Sequence, residues 1–243
     1  MTGPAPGDSA PTGSIETLYP FLYPDQADGA GILAAVLESV RASTVAKAEE
    51  ILRLRREVRD AAGPALVACA REMAARFERG GRLFAFGNGG SATDAQQLAT
   101  LFLSPAASTA RPLPALSLAS DPAVLTALCN DIGVDVVFAR QLGAFGTSAD
   151  IAVALSTSGN SENLLCALTA ASQRGMLTIG IAGYSGGKMA ELDSIDYLFV
   201  APSASVHRIQ EAQTTMYHAL WELCQAALEP AAHQPDGQLP GTP

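Results

Sequence analysis

A chain of 243 residues that is 48% hydrophobic and 16% charged is globular in class and long enough to bury one large core. Its formal charge of −9 opposes a nucleic-acid backbone, which demands clustered Lys and Arg, but leaves a small phosphorylated ligand open, because amides and hydroxyls hold phosphate without net positive charge. No apolar run reaches the roughly 18 residues of a membrane span and no basic-then-hydrophobic leader is present, so a cytoplasmic protein without a membrane partner is expected.

Residues 1 to about 13 are rich in Pro, Gly, Ser and Thr and read as a disordered leader. Leu18 to Pro24 is aromatic and broken by Pro20 and Pro24, which excludes a regular helix or a central strand. It reads either as an extended arm packing on a neighbouring subunit or as a lid over the chain's own core. From Ala30 the pattern turns helical, with Val36, Leu37 and Val40 followed by Val45, Ala48, Ile51 and Leu52. A second helix carrying Leu66, Cys69, Ala70, Met73 and Phe77 is expected to start at Gly63-Pro64 and to end at Gly80-Gly81. Cys69, Cys129, Cys166 and Cys224 are widely spaced in apolar stretches and read as buried thiols of a reducing compartment.

Leu83 to Phe86 is an apolar run of strand length, and Gly87 to Ser91 supplies three glycines, an amide and a hydroxyl before helical spacing resumes at Ala95, Leu98, Ala99 and Phe102. This joint between strand and helix N-terminus is suited to an anion, since its first N–H groups lack intrahelical partners. The spacing GNGGS departs from the dinucleotide fingerprint and no P-loop lysine follows, so nucleotide binding is disfavoured. Further strands are expected at Leu113–Leu118, Ile151–Leu155, Leu177–Ile181 and Tyr197–Val200, separated by helices. Continuous apolar strands alternating with helices predict an α/β fold, a doubly wound parallel sheet covered on both faces, preceded by an N-terminal helical segment.

A second polar loop, Ser156-Thr157-Ser158-Gly159-Asn160-Ser161, ends the Ile151–Leu155 strand and precedes another helix. Ligands of open α/β sheets sit beyond the carboxyl ends of strands, where both loops belong, so the serine loop reads as a phosphate cradle. The plainer alternative is N-capping by Ser158 or Ser161.

GNGGSATDAQQLA, LSTSGNSENLLCAL and HRIQEAQTTMYHAL, in that order, resemble the sugar isomerase (SIS) fold and, within it, the bacterial sedoheptulose 7-phosphate (phosphoheptose) isomerases. The resemblance spans residues 37–228 and divides the chain into an N-terminal extension (1–36), a SIS domain (37–228) and a disordered tail (229–243). It implies a five-stranded parallel sheet flanked by helices and a homotetramer with sites at subunit interfaces. It also implies that phosphate is held by Ser156, Thr157, Ser158 and Ser161, with Asn88, Gly89, Gly90, Ser91, Asn130, Asp131 and Gln210 as further substrate contacts.

The catalytic positions depart from that pattern. The isomerases use a His and a Glu four residues apart on the helix after GNGGS, with a Gln and a His on the last helix, to bind zinc. Glu and the last His move the protons. Here those positions are Gln97, Leu101, Gln210 and His218, so no metal is expected unless the incomplete site still binds zinc. His218 inherits the acid/base role by resemblance, yet among Met216, Tyr217, Leu220 and Trp221 it also reads as a core or interface histidine. Asp94, Glu162 and Glu211 are the carboxylates near enough in sequence to replace the lost base, each with the alternative of a helix-end or solvated charge. Lys188 reads either as a phosphate contact or as a solvated cation.

Three functions follow. One is a phosphosugar-binding SIS protein whose cradle is kept while the zinc and base positions are partly lost. The second is a working sedoheptulose 7-phosphate isomerase, an intramolecular oxidoreductase with a substitute base. The third is a non-catalytic interaction or regulatory tetramer that meets a protein partner through the aromatic arm.

Overall fold

The computed structural model describes residues 29–105 and 110–229. The leader, the Leu18–Pro24 arm and the tail beyond Glu229 lie outside the described residues. The chain divides into two compact units, Met1–Glu49 and Glu50–Pro243. The first is described from Gly29 and is helical, with Leu33, Val36, Leu37, Val40 and Val45 all exposed.

One helix, α1 (Gly29–Glu78), replaces the two expected, and Pro64 lies inside it. A proline removes one N–H and withdraws a donor from the carbonyl a turn earlier. Here Asp60 and Pro64 are both exposed, so water can serve that carbonyl and the helix continues. Within the second unit, Ile51, Leu54, Val58, Leu66, Cys69, Met73 and Phe77 form a buried stripe at three- and four-residue spacing, with the half-buried Ala62 bridging Val58 and Leu66.

The sheet has five parallel strands in the order β2-β1-β3-β4-β5. These are β1 (Leu83–Gly87), β2 (Ala115–Ser117), β3 (Ile151–Leu155), β4 (Leu177–Gly183) and β5 (Tyr197–Ala201). The intervening helices are α2 (Gly90–Leu103), α3 (Pro122–Ile132), α4 (Val137–Phe145) and α5 (Glu162–Gln173), and α6 (Val206–Leu228) closes the fold. Successive strand residues face opposite ways and feed two cores. Leu83, Ala85, Ile151, Val153 and Leu155 pack with α1, α2 and α6, whereas Phe84, Phe86, Ala152 and Ala154 pack with α4 and α5. Both faces are covered, and this is why the strands read as continuous apolar runs.

The N-terminal ends of β1 and β3 are locked by Asp150, which is 1% exposed. It accepts the Arg82 backbone N–H at 2.7 Å, the Arg82 guanidinium at 3.1 Å and the Thr147 N–H and hydroxyl at 2.8 and 2.9 Å. Burial pushes this carboxyl up, and the bonds from Arg82 and Thr147 outweigh it, so it sits below the usual carboxylate range. Of the four thiols, Cys69 and Cys224 are buried and Cys166 is half-buried, but Cys129 on α3 is exposed, against expectation. No residue of α3 is buried, despite its apolar sequence. Burial pushes the Cys224 thiol up to about 12, which leaves it inert as a nucleophile at neutral pH.

Candidate functional site

In the order β2-β1-β3-β4-β5 the winding reverses between β1 and β3, and the crevice at that reversal is where open α/β sheets bind ligands. Gly87 ends β1 opposite Leu155, which ends β3. The glycine loop and the serine loop therefore leave adjacent strands side by side.

The glycine loop depends on its missing side chains. A Cβ on Gly87 would lie 2.6 Å from the Ser91 carbonyl oxygen and 2.8 Å from that of Leu155, so the strand end, the first turn of α2 and β3 meet backbone to backbone. Gly89, the N-cap of α2, has φ +56°, a conformation that favours glycine. On Gly90 a Cβ would overlap Nε2 of Gln210, so the Gln210 amide from α6 lies directly on the loop. Ser91 is buried, whereas Asn88, Gly89 and Gly90 are exposed.

The two loops are tied to each other. Asn88 Nδ2 donates to Asn163 Oδ1 at 2.9 Å, and Asn163 Nδ2 returns a bond to Asn88 Oδ1 at 2.9 Å. Asn163, on the first turn of α5, is buried, and its role as a brace is one that sequence reasoning missed.

Ser156 is 4% exposed and held on three sides. Its N–H donates to the Ile181 carbonyl at 3.0 Å, its carbonyl accepts Gln213 Nε2 at 2.8 Å, and its Oγ accepts the Gly159 N–H at 2.9 Å. Gln213, wholly buried on α6, also donates to the Ile181 carbonyl at 3.1 Å, while its Oε1 has no partner among the described residues. Gly159 has φ +67° and a Cβ there would fall on the Gly186 carbonyl, so the loop rests on Gly186-Gly187. Asn160 Oδ1 fastens this support by accepting the Lys188 N–H at 2.9 Å. Thr157, Ser158 and Ser161 are half-buried at the crevice. Ser161 is the N-cap of α5 but its side chain makes no capping bond, and among the described residues Ser158 Oγ accepts only the nearby Asn160 N–H at 3.3 Å. The capping alternative therefore does not account for these hydroxyls.

Asn130 and Asp131 lie at the end of α3, both exposed, with Asn130 Nδ2 donating to Asp131 Oδ1 at 2.9 Å. No hydrogen bond joins them to either loop among the described residues.

The four positions that the resemblance assigns to zinc do not make a zinc donor set in this chain. Gln97 is exposed and offers a neutral amide, and Leu101 is packed against the core. Gln210 lies on the glycine loop, whereas His218, eight residues further along the unbroken α6, is about 12 Å away along the axis and stacks on Tyr217 with ring centroids 5.2 Å apart. Among the described residues no three His, Cys, Asp or Glu side chains gather as a metal site.

Of the three substitute carboxylates, Glu162 pairs with Lys188 at 3.8 Å and Glu211 pairs with Arg208. Lys188, the other cation near this loop in sequence, is exposed and has Glu162 as its partner. Asp94 differs. Its Oδ2 is buried without a hydrogen-bond partner among the described residues. Burial pushes its carboxyl up, and the nearby Gln210 amide partly offsets that.

The SIS domain family matches residues 48–183 of this chain. The phosphoheptose isomerase of Roseiflexus sp. (strain RS-1) is 39% identical over 180 residues, covering 74% of this chain and 90% of that protein. That of Pelodictyon phaeoclathratiforme is 46% identical over 165 residues, covering 67% and 78%. The structure of phosphoheptose isomerase from Neisseria gonorrhoeae superimposes with a TM-score of 0.70 at 34% identity, over 77% of this chain and 99% of that one. A phosphoheptose isomerase from Francisella tularensis gives a TM-score of 0.71 at 30% identity, over 79% and 98%. The order of the strands, the two loops at their reversal and these matches agree, and this chain belongs to the SIS domain family, in the group that holds the phosphoheptose isomerases.

Proposed function

We propose that this chain binds a phosphorylated sugar of the sedoheptulose 7-phosphate type, with weak, altered or absent isomerase action. In this reading Ser156, Thr157, Ser158 and Ser161 hold the phosphate, and Asn88, Gly89, Gly90, Ser91 and Gln210 meet the sugar. The observation that carries it is the braced pair of loops at one sheet crevice, joined through Asn88 and Asn163, with a half-buried Leu101 packed against the core at the position the resemblance assigns to the base. A methyl-tipped side chain neither binds a metal nor takes a proton, and losing a general base costs roughly 10²- to 10⁴-fold in rate. The test is a titration of the purified, metal-analysed protein with sedoheptulose 7-phosphate, followed by a turnover assay with and without zinc. Binding with little or no turnover is expected, and efficient turnover would overturn this reading.

Efficient turnover would instead favour a working isomerase with a substitute base. The specific observation behind that second reading is Asp94, the one of the three carboxylates considered without a cation beside it, next to Gln210.

We further propose a homotetramer whose sites are shared between copies. Two features support it: the separation of Gln210 from His218 along α6, and the exposed apolar surface beside Asn130 and Asp131. There Val124, Ile132, Val134 and Val136 are 39%, 47%, 55% and 37% exposed. Light scattering at four times the 25.0 kDa chain mass is the expected result, and a monomer would refute it.

A further inference from the structure

Gly90 and Asp94 are four residues apart on α2 and so share one helix face. Helical side chains lean toward the N-terminus, which carries the Asp94 carboxylate back over the turn that starts at Gly90. Gly90 leaves that surface bare, and the Gln210 amide occupies it. A carboxylate only accepts hydrogen bonds, whereas an amide has one donating and one accepting end. The Gln210 amide lies beside Asp94, whose buried Oδ2 has no partner among the described residues. A methyl built on Gly90 would overlap Nε2 but would stand 3.6 Å from Oε1, so the donating end faces the loop and the accepting end faces away.

Building on the phosphosugar reading above, we propose that Asp94 is a positioning residue. It fixes the Gln210 amide so that Oε1 is presented to the crevice as an acceptor for a sugar hydroxyl. The consequence is an oriented ligand. A sugar hydroxyl donates to Gln210 Oε1, whereas the dianion of a phosphate ester has only acceptors and is refused there. The serine loop, with free hydroxyls and a helix N-terminus, takes the phosphate instead. Its own first-turn carboxylate, Glu162, is paired with Lys188 and does not repel the anion as Asp94 would. Asp94 thus sets the preference for a polyol phosphate over bare phosphate.

Calorimetric titration of wild type, Asp94→Asn, Gln210→Met and the double variant with two probes, sedoheptulose 7-phosphate and inorganic phosphate, tests this. Asp94→Asn offers Gln210 either end of an amide and removes the lock. It is expected to weaken sedoheptulose 7-phosphate about tenfold, the loss of roughly one hydrogen bond, while inorganic phosphate stays within about twofold. In the Gln210→Met background the same change is expected to do nothing further, because its partner is gone. Equal weakening of both probes, an unchanged sugar-phosphate affinity, or a full second loss in the double variant would each overturn the proposal. Should Asp94→Asn not fold by circular dichroism, Gly90→Ala displaces Gln210 with Asp94 intact. It is expected to give the same selective loss, and wild-type affinity in that variant would overturn the proposal as well. A wild-type protein that binds neither probe overturns the phosphosugar reading itself, which is seen before any substitution is made.

Discussion

Replacing Gly87 by alanine asks whether the two loops owe their placement to close backbone approach. The added methyl would lie 2.6 Å from the Ser91 carbonyl oxygen, 2.7 Å from its carbon and 2.8 Å from the Leu155 carbonyl oxygen. Each distance is well inside the about 3.5 Å at which non-bonded carbons pack comfortably. None of these neighbours is a flexible side-chain tip, so the first turn of α2 or the end of β3 has to move. Forcing extra carbon into a packed interior costs about 1–3 kcal/mol. For a chain of this size that lowers Tm by roughly 2–12 °C. The same shift parts the glycine loop from the serine loop and stretches the bonds between Asn88 and Asn163, so affinity for sedoheptulose 7-phosphate falls with stability. Gly63→Ala is the matched control. It lies inside α1 with nothing within 4 Å of the new methyl, and there alanine stabilises by up to about 1 kcal/mol. Thermal melts by circular dichroism and calorimetric titration read both variants. A Gly87→Ala protein with wild-type Tm and wild-type affinity would refute the argument.

Asp150→Asn breaks a charged network around a buried carboxylate but leaves an Arg82 guanidinium that water can reach, so it is expected to cost about 1.5–3 kcal/mol at neutral pH, measured by urea unfolding. Because the folded carboxyl lies below its unfolded value of about 3.9, its contribution is present above that pH and is lost as pH falls through the folded value, so wild type and variant converge in acid. Convergence toward alkaline pH instead would contradict the assignment. Gln213→Leu removes the donor to the Ser156 carbonyl, which is expected to cost about 1–3 kcal/mol and to weaken inorganic phosphate and sedoheptulose 7-phosphate alike. A change confined to the sugar phosphate would place Gln213 outside the support of the serine loop.

Much of this architecture is written in local pattern. The strand at Ile151 is apolar throughout and that at Leu177 departs only at Thr178, because two helical layers cover them, and that leaves no alternation to misread. The serine loop declares itself by packing hydroxyls and an amide between a strand and a helix. Gly63-Pro64 misleads for a physical reason: the rule that proline ends a helix assumes that the freed carbonyl goes unserved, and an exposed turn breaks that assumption. The braces of the site are less legible, since Asn88 and Asn163 are 75 residues apart and meet only because β1 and β3 are neighbours. One such residue did leave a trace. Gln213 falls on the apolar stripe of α6 between Ile209 and Met216, where a polar side chain has to find buried partners.

In the function proposed above, cradle and chemistry are separable because they rest on different kinds of structure. The cradle is held by glycine contacts, backbone amides and buried asparagine and glutamine bonds, none of which involves Gln97 or Leu101. Those two positions lie further along α2, one exposed and one against the core, so exchanging them alters chemistry without moving the loops. Leu101→Glu with Gln97→His is accordingly expected to fold. Giving up one half-buried leucine costs about 1 kcal/mol, less than the 1.5–3 kcal/mol of a fully buried one. A gain of zinc binding reads directly as stability. Metal at a hundredfold excess over Kd adds about 2.7 kcal/mol, enough to offset that loss and raise Tm by several degrees. The natural chain, with an amide and a methyl-tipped side chain at the same positions, is expected to melt at the same temperature with and without zinc. A natural chain stabilised by zinc to that extent would show that its donor set had been misjudged, and a double variant that zinc leaves unmoved would show that the loops alone do not bring the four positions together.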